Sequence, residues 1–137
     1  MSSFKIFDIA GSGMNAQNLR MNLVASNLAN VDAVSSSIDQ TYRARQPVFQ
    51  AVMDEFNARN PAVGVRMAGV VESKAPLVRE YSPNHKMADE EGYIYRPNVN
   101  VVEEMANMIS ASRAYQNNIE VVNSTRQMLS ATINLGR

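Results

Sequence analysis

The last third of the sequence carries one apolar repeat that continues for more than thirty residues. Its spacings alternate between four and three, which is typical of a helix with one buried face. Its ten positions are apolar except for Ser112 and Arg126. They are Val101, Met105, Met108, Ser112, Tyr115, Ile119, Val122, Arg126, Leu129 and Ile133. Such a helix is roughly 50 Å long. A 137-residue chain is too small to cover a rod of that length with its own residues.

The ends of this helix are marked by local signals. Asn100 is a suitable N-cap, and Glu103 occupies the third helical position, as in a capping box. Glu103 and Glu104 lie in the first turn, where the helix dipole favours acidic side chains. Gly136 is placed to end the helix.

The N-terminal arm predicts a second long helix, from about Ser3 to Val31. An apolar residue recurs every seven positions at Phe7, Met14, Met21 and Leu28. Others join the same side: Ile6, Ala10, Val24, Ala25 and Val31. This stripe resembles the seam of a coiled coil, although two glycines, Gly11 and Gly13, weaken the first turns.

The centre of the chain has a different character. Residues 38–97 hold 16 of the 26 charged residues and several short β-prone runs, "TYRARQPVFQAV", "GVRMAGVVES", "PLVREY" and "GYIYRP". Two polar, turn-like segments separate them, "DEFNARNPAV" and "SPNHKMADEEG". These runs predict one small antiparallel sheet, and we therefore predict an α+β fold. Long N- and C-terminal helices (1–37 and 98–137) pair as one discontinuous coiled-coil hairpin around a small central antiparallel β domain (38–97).

Composition excludes several classes of function. The formal net charge is zero, which does not favour nucleic acid or direct lipid binding. Cysteine is absent, and the single histidine, His85, lies among Asp89, Glu90 and Glu91 in a turn typical of a solvated loop. No nucleophile motif, phosphate loop or metal motif occurs, so we predict neither enzyme activity nor a cofactor or metal. The N-terminus lacks the apolar core of a cleavable signal peptide.

Asn27 and Asn30 are unusual inside an apolar helix, because asparagine amides compete for backbone groups. They either accompany fraying of the helix end, or are buried against neighbouring chains, where amides fix register. The second arm favours the latter, because its positions off the stripe are mostly uncharged polar residues: Asn107, Ser110, Gln116, Asn117, Asn118, Asn123, Ser124, Thr125 and Gln127. Interface cores are depleted of charge in this way.

Two segments carry a family resemblance. "NLVASNLANVDA" resembles the N-terminal signature of bacterial flagellar rod and hook axial proteins. The segment from "ADEEGYIYRPNVNVVEEM" to "ATINLG", together with "FDIAGSGMNAQNLRMNLVASNLAN", is similar to the short, proximal-rod type within that family. Many relatives continue the Asn-Leu-Ala-Asn motif with Thr-Pro-Gly and an aromatic residue. This chain has "VDAVSSSIDQTYRAR" instead, which fits the proximal type better than the hook or distal rod.

The resemblance implies a structural subunit of the basal-body rod in the periplasmic space. It implies that a helical hairpin forms the inner wall of the rod, with a β-rich domain outside it. The expected partners are copies of itself, other rod proteins and the flagellar type III export apparatus, without signal cleavage. The predicted subunit-packing residues are Met14, Met21, Asn27, Leu28, Ala29, Asn30, Met105, Met108, Ser112, Tyr115, Ile119, Val122, Leu129 and Ile133. The alternative is a soluble helical adaptor or chaperone of the export system, which should carry more surface charge.

Overall fold

The computed structural model describes residues 3–52 and 64–136 of the chain. Two long helices dominate it, α1 (Ser3–Ala29) and α2 (Val101–Leu135). A short 3-10 helix, Ile38–Gln40, follows α1. The predicted α+β class and both terminal helices are confirmed. Neither α1 nor α2 contains an apolar stretch long enough to span a bilayer.

The helix ends follow the local signals with two differences. The Asn100 side chain accepts hydrogen bonds from the backbone N–H groups of Val102 and Glu103, at 3.1 and 3.4 Å. The reciprocal bond of a full capping box is absent from the hydrogen bonds of the described residues. Gly136 caps the C-terminus, donating its N–H to a carbonyl of the last turn. At the end of α1, the Asn30 N–H is shared between two carbonyls, so the helix tightens and ends before the predicted Val31.

Four strands form where β-prone runs were predicted. They are β1 (Arg45–Val52), β2 (Gly64–Glu72), β3 (Val78–Tyr81) and β4 (Tyr93–Arg96). Both pairings, β1 with β2 and β3 with β4, are antiparallel. The predicted turn over residues 54–63 lies outside the described part of the chain.

The expectation of one small sheet was wrong, because the four strands form two separate two-stranded sheets. The segment joining them is held by one backbone hydrogen bond, from the Ser73 N–H to the Ala44 carbonyl at 2.8 Å, and by side chains. The Ser73 and Ala75 carbonyls each accept a hydrogen bond from Asn98 Nδ2, at 3.3 and 2.9 Å. Arg43 donates to the same two carbonyls at 3.2 and 3.3 Å. The ladder between β1 and β2 ends just before this segment, at the pair Arg45 and Glu72.

The two helices pack antiparallel through small residues. Gly13 lies so close to Asn118 that an added Cβ would be 2.9 Å from its amide nitrogen. Further along, Arg20 donates to Asn107 Oδ1 at 2.9 Å. The buried apolar residues of the pair are Ala10, Ala16, Val24 and Ala111. This close approach leaves little room for large side chains between the helices.

The sheets attach to different parts of α1. The β1–β2 hairpin lies along the helix, because Asn27 binds the first residue of β1 and Ser12 Oγ accepts the Val65 N–H at 3.1 Å. The β3–β4 hairpin is anchored beyond the end of α1, where Arg96 contacts Asp32 at 2.8 Å. Two backbone hydrogen bonds between Ser35 and Tyr95, both at 3.0 Å, also join this hairpin to the loop. The hairpins are therefore placed by contacts with α1 and with the loop that follows it.

Candidate subunit interface

Asn27 is the most completely buried large side chain among the described residues, at 1% exposure. Its Nδ2 donates to the Arg45 carbonyl, and its Oδ1 accepts the Arg45 N–H, both at 2.9 Å. Oδ1 also accepts the Tyr42 hydroxyl at 2.8 Å. The amide thus pairs with the backbone of Arg45 as a neighbouring strand would, and it fixes where β1 begins.

Tyr42 shares the electrostatic surroundings of this site. Burial raises the pKa of its hydroxyl above the usual 10.0. Arg45 opposes that rise by favouring the phenolate, whereas Glu104 and Glu72 reinforce it. The Arg45 guanidinium lies 5.4 Å from the centre of the Tyr42 ring. The neutral hydroxyl is therefore favoured as the donor to Asn27.

The partners of Asn27 lie in its own chain, whereas the sequence led us to expect them in neighbouring chains. Asn27 does not lie in a frayed helix end either, because its side chain is buried and its Oδ1 accepts two hydrogen bonds. Asn30 differs. Its Nδ2 donates to Ser26 O, one turn earlier in the same helix, at 2.8 Å. Asn27 is thus a structural residue of the monomer, and Asn30 a partly exposed helix-end residue.

The face of α2 that meets α1 is offset from the predicted stripe. Three residues separated by multiples of seven are buried there, Glu104, Ala111 and Thr125. Between them lie half-buried members of the predicted stripe: Met108, Tyr115, Val122 and Leu129. The other members face outward and are exposed, except for half-buried Ser112: Val101, Met105, Ile119, Arg126 and Ile133. The small and polar residues on the inner face permit the close approach at Gly13.

Two groups of large apolar side chains on α2 remain uncovered in the described chain. Near its start, Val102, Met105 and Ile109 are 76%, 54% and 54% exposed. Near its end, Ile133 and Leu135 are 67% and 88% exposed. In the antiparallel register, the first turn of α1 faces about residues 125–128, so the last two turns of α2 extend past it.

The predicted packing residues do not form one buried cluster in the monomer. Asn27 is buried. The half-buried ones are Met14, Met21, Leu28, Asn30, Met108, Ser112, Tyr115, Val122 and Leu129. The exposed ones are Ala29, Met105, Ile119 and Ile133.

The β1–β2 hairpin adds an apolar surface that the sequence did not single out. Val48, Val70 and Val71 are 44%, 43% and 52% exposed, and Phe49 is 36% exposed. Each strand of a two-stranded sheet also has one edge without a strand partner. A strand with one covered face usually alternates apolar and polar residues. The sequences of β1 and β2 do not alternate strictly, so they did not indicate which side chains would be exposed.

A cleft of about 340 Å³ lies where α1, α2 and β1 meet. Its lining combines apolar and charged residues: Arg20, Val24, Arg45, Gln46, Pro47, Phe49, Glu103, Glu104 and Asn107. The two acidic residues in the first turn of α2 differ in burial. Glu103 is exposed, whereas Glu104 is buried, with 6% of its surface exposed. Glu104 Oε2 is buried without a hydrogen-bond partner. From the sequence alone, both residues have the same role at the start of the helix and cannot be distinguished.

The accessible surface of the chain is large for its size. It measures 9845 Å², and the mass is 15.1 kDa. A compact monomer of that mass exposes about 7,100 Å². The buried apolar residues of the described chain are few and mostly alanine. The arrangement is suited to association with other chains, and the described residues contain no cluster that could hold a metal ion.

Comparison with known proteins assigns this arrangement to a family. Residues 7–35 match the family model "Flagella basal body rod protein", and residues 90–135 match "Flagellar basal body rod FlgEFG protein C-terminal". The chain is 48% identical to the flagellar basal-body rod protein FlgC of Salmonella typhimurium, over 100% of both chains. It is 44% identical to FlgC of Yersinia enterocolitica over 100% of both chains, and 34% identical to FlgC of Borreliella burgdorferi over 97% of both. The chain belongs to the flagellar basal-body rod protein family.

Proposed function

We propose that this chain is a structural subunit of the proximal part of the flagellar basal-body rod. In this role it transmits torque by packing against neighbouring subunits. The full-length similarity to proteins named as rod proteins supports the assignment. It also favours a rod subunit over the adaptor or chaperone that the amphipathic arms alone left open.

The observation that carries the packing role is the uncovered apolar face at the start of α2. Val102, Met105 and Ile109 are spaced three and four residues apart, so they lie along one side of the helix. Their exposure, 54% or more, is high for large apolar side chains arranged in a row. Contiguous apolar patches of this kind mark interaction surfaces. In the rod this face packs against the helices of adjacent subunits.

The finer parts of the proposal concern partners and export. The partners are copies of this chain and other rod proteins, with the terminal helices forming the inner layer. Half-buried stripe residues such as Met14, Met21, Met108 and Tyr115 contribute there, because methionine adapts to irregular contacts. The chain reaches the periplasmic space through the flagellar type III apparatus without cleavage.

Complementation tests the proposal. A flagellated strain that lacks its own homologue of this chain should regain complete rods and swimming when it expresses the wild-type chain. The double variant Met105→Gln/Ile109→Gln should be exported but should leave rods incomplete in electron micrographs. Glutamine preserves helix propensity, so the loss would come from the apolar contact.

The matched control is Met87→Gln in the turn between β3 and β4, where Met87 is 44% exposed but lies outside both helices. We expect normal rods from this variant. Incomplete rods with the wild-type chain would contradict the assignment as a rod subunit. Normal rods with Met105→Gln/Ile109→Gln would contradict the role of this face.

A further inference from the structure

The α1–α2 seam, the surface along which the two long helices pack, contains polar side chains that lack partners. Among the described residues, two buried side-chain atoms have no hydrogen-bond partner, Gln17 Oε1 and Glu104 Oε2. A buried polar atom without a partner destabilises the folded chain, because it has lost its hydration and gained no bond. The location of these two atoms is informative, because one belongs to each helix.

Both residues lie on the sides on which the helices meet. Gln17 comes four residues after Gly13 and three before Arg20, so it shares a side of α1 with two residues that contact α2. Glu104 is one of the buried residues of α2 and lies with Arg20 in the lining of the cleft between the helices. Each helix therefore contributes one unpaired polar atom to the seam.

The remaining contacts across the seam are few and weak. The bond from Arg20 to Asn107 is the only hydrogen bond between α1 and α2 among the described residues, and none of their ion pairs joins the two helices. The Thr125 hydroxyl is part-buried but donates to the Val121 carbonyl of its own helix, at 2.8 Å. The fully buried apolar residues of the pair are one valine and three alanines, which bury little apolar area.

These two polar groups make the seam weaker than its shape requires. Leucine has about the volume of glutamine, and a buried charge replaced by a neutral group of similar size often gives a more stable protein. Proteins commonly retain destabilising groups where function requires part of the structure to open. In this fold, the opening that such groups would favour is the separation of α1 from α2.

The proposed export route provides a reason for that separation. Each helix is about 10–12 Å across with its side chains, so the packed pair is much wider than an extended chain. Passage as an extended chain therefore requires the helices to separate first. The rate of such forced unfolding depends on the interactions that have to break.

We propose that Gln17 and Glu104 keep the α1–α2 seam weak, so that the helices separate readily for export. This proposal rests on the rod function and the export route proposed above, and it adds a conformational device to them. In the rod, neighbouring subunits that bind only the folded hairpin stabilise it by mass action. A seam that is weak in the monomer is therefore compatible with a stiff shaft.

A double variant tests the proposal against a matched control. Gln17→Leu/Glu104→Gln should raise the midpoint of thermal unfolding by at least about 3 °C. It should also lower the exported fraction of the chain at least about threefold, measured outside the cytoplasm of a strain that lacks its own homologue. Gln116→Leu/Glu103→Gln makes the same two changes at exposed positions of α2 and should alter neither quantity. An unchanged or lower midpoint for the first variant, undiminished export, or equal effects of the control would overturn the proposal.

A compensating substitution separates monomer stability from recognition by the export apparatus. Asn27→Leu weakens the monomer outside the seam, because it removes hydrogen bonds to Tyr42 and Arg45. Added to Gln17→Leu/Glu104→Gln, it should restore most of the lost export, and export that stays low would contradict the proposal. If wild type restores rods and the double variant is exported equally well, the weak seam has no role in export while the rod function stands. If wild type restores no rods, the rod function itself fails.

Discussion

Asn27 shows how one amide can define the junction between a helix and a strand. Arg45 is the first residue of β1, and its N–H and carbonyl both bond to the Asn27 side chain. An acidic residue could accept from the N–H but could not donate to the carbonyl, and a hydroxyl is too short to do both in this geometry. Asparagine is therefore required by the backbone of β1, although it is a poor residue for a helix interior.

Replacing Asn27 by leucine should destabilise the monomer. Asn27→Leu leaves the Tyr42 hydroxyl and both backbone groups of Arg45 without partners, and each unpaired buried group costs about 1–3 kcal/mol. We expect the free energy of unfolding, measured in urea, to fall by at least about 2 kcal/mol. The matched variant Asn30→Leu loses only a bond within its own helix and should change it by less than about 0.5 kcal/mol. Equal unfolding midpoints for the two variants would contradict this.

Tyr42 should make stability depend on alkaline pH. Because burial raises its pKa above 10.0, the folded chain holds this proton more tightly than the unfolded chain. The resulting stabilisation is fully present below the unfolded pKa and is lost as pH rises through the folded pKa. Wild type should therefore lose more unfolding free energy than Tyr42→Phe between about pH 9 and pH 11. Parallel pH profiles for the two proteins, measured by chemical denaturation, would contradict the shift.

At the scale of elements, the two helices were predictable because their signals are local. The Asn100 cap, the acidic first turn and Gly136 lie next to the bonds that they satisfy. The side of α2 that faces α1 was harder to predict. Its buried positions include Glu104 and Thr125, which an apolar pattern does not detect. The predicted apolar stripe of α2 therefore includes both residues that face α1 and residues that face outward.

The strands were also predictable one by one, but their pairing into two sheets was not. The segment after β2 is bound by Asn98, which lies 23 residues beyond Ala75 in the sequence. Its side chain also accepts the Ala44 N–H at 2.8 Å, so one amide joins three segments. The partner of Asn27 is likewise 18 residues away. Contacts of this range depend on the tertiary arrangement and have no signature in a single sequence.

For the candidate interface, the packing residues stay a prediction, and the structure shows where each of them lies in the monomer. The family motif around Asn27 suggested a contact between subunits, whereas the structure places that amide inside the monomer. Met105 and Ile133 were predicted and are exposed, as an interface would require before assembly. Glu104 was assigned to the helix dipole because only its burial distinguishes it from Glu103.

The whole molecule combines a sparse core with long helices. In the described chain, buried apolar residues are few, while nineteen large apolar side chains are exposed. Folding must offset the loss of conformational entropy by burying surface, and here part of that surface remains uncovered. The parts of α2 without an intramolecular partner are therefore expected to gain most of their order from neighbouring subunits. We therefore expect subunit assembly and completion of the fold to be coupled.

Hydrogen exchange should reveal this coupling along α2. In dilute monomer, amides of residues 108–125 should exchange slowly, because this segment packs on α1 through Ala111 and Thr125. Amides of residues 130–135 should exchange at least about tenfold faster, because Ile133 and Leu135 are exposed and the segment extends past α1. In assembled rods both segments should be protected. The measurement compares the exchange rates of the two segments by mass spectrometry, at a concentration where no oligomer forms. Equal protection of both segments in the monomer would mean that α2 is stable without neighbours, and that its exposed end is not completed by assembly.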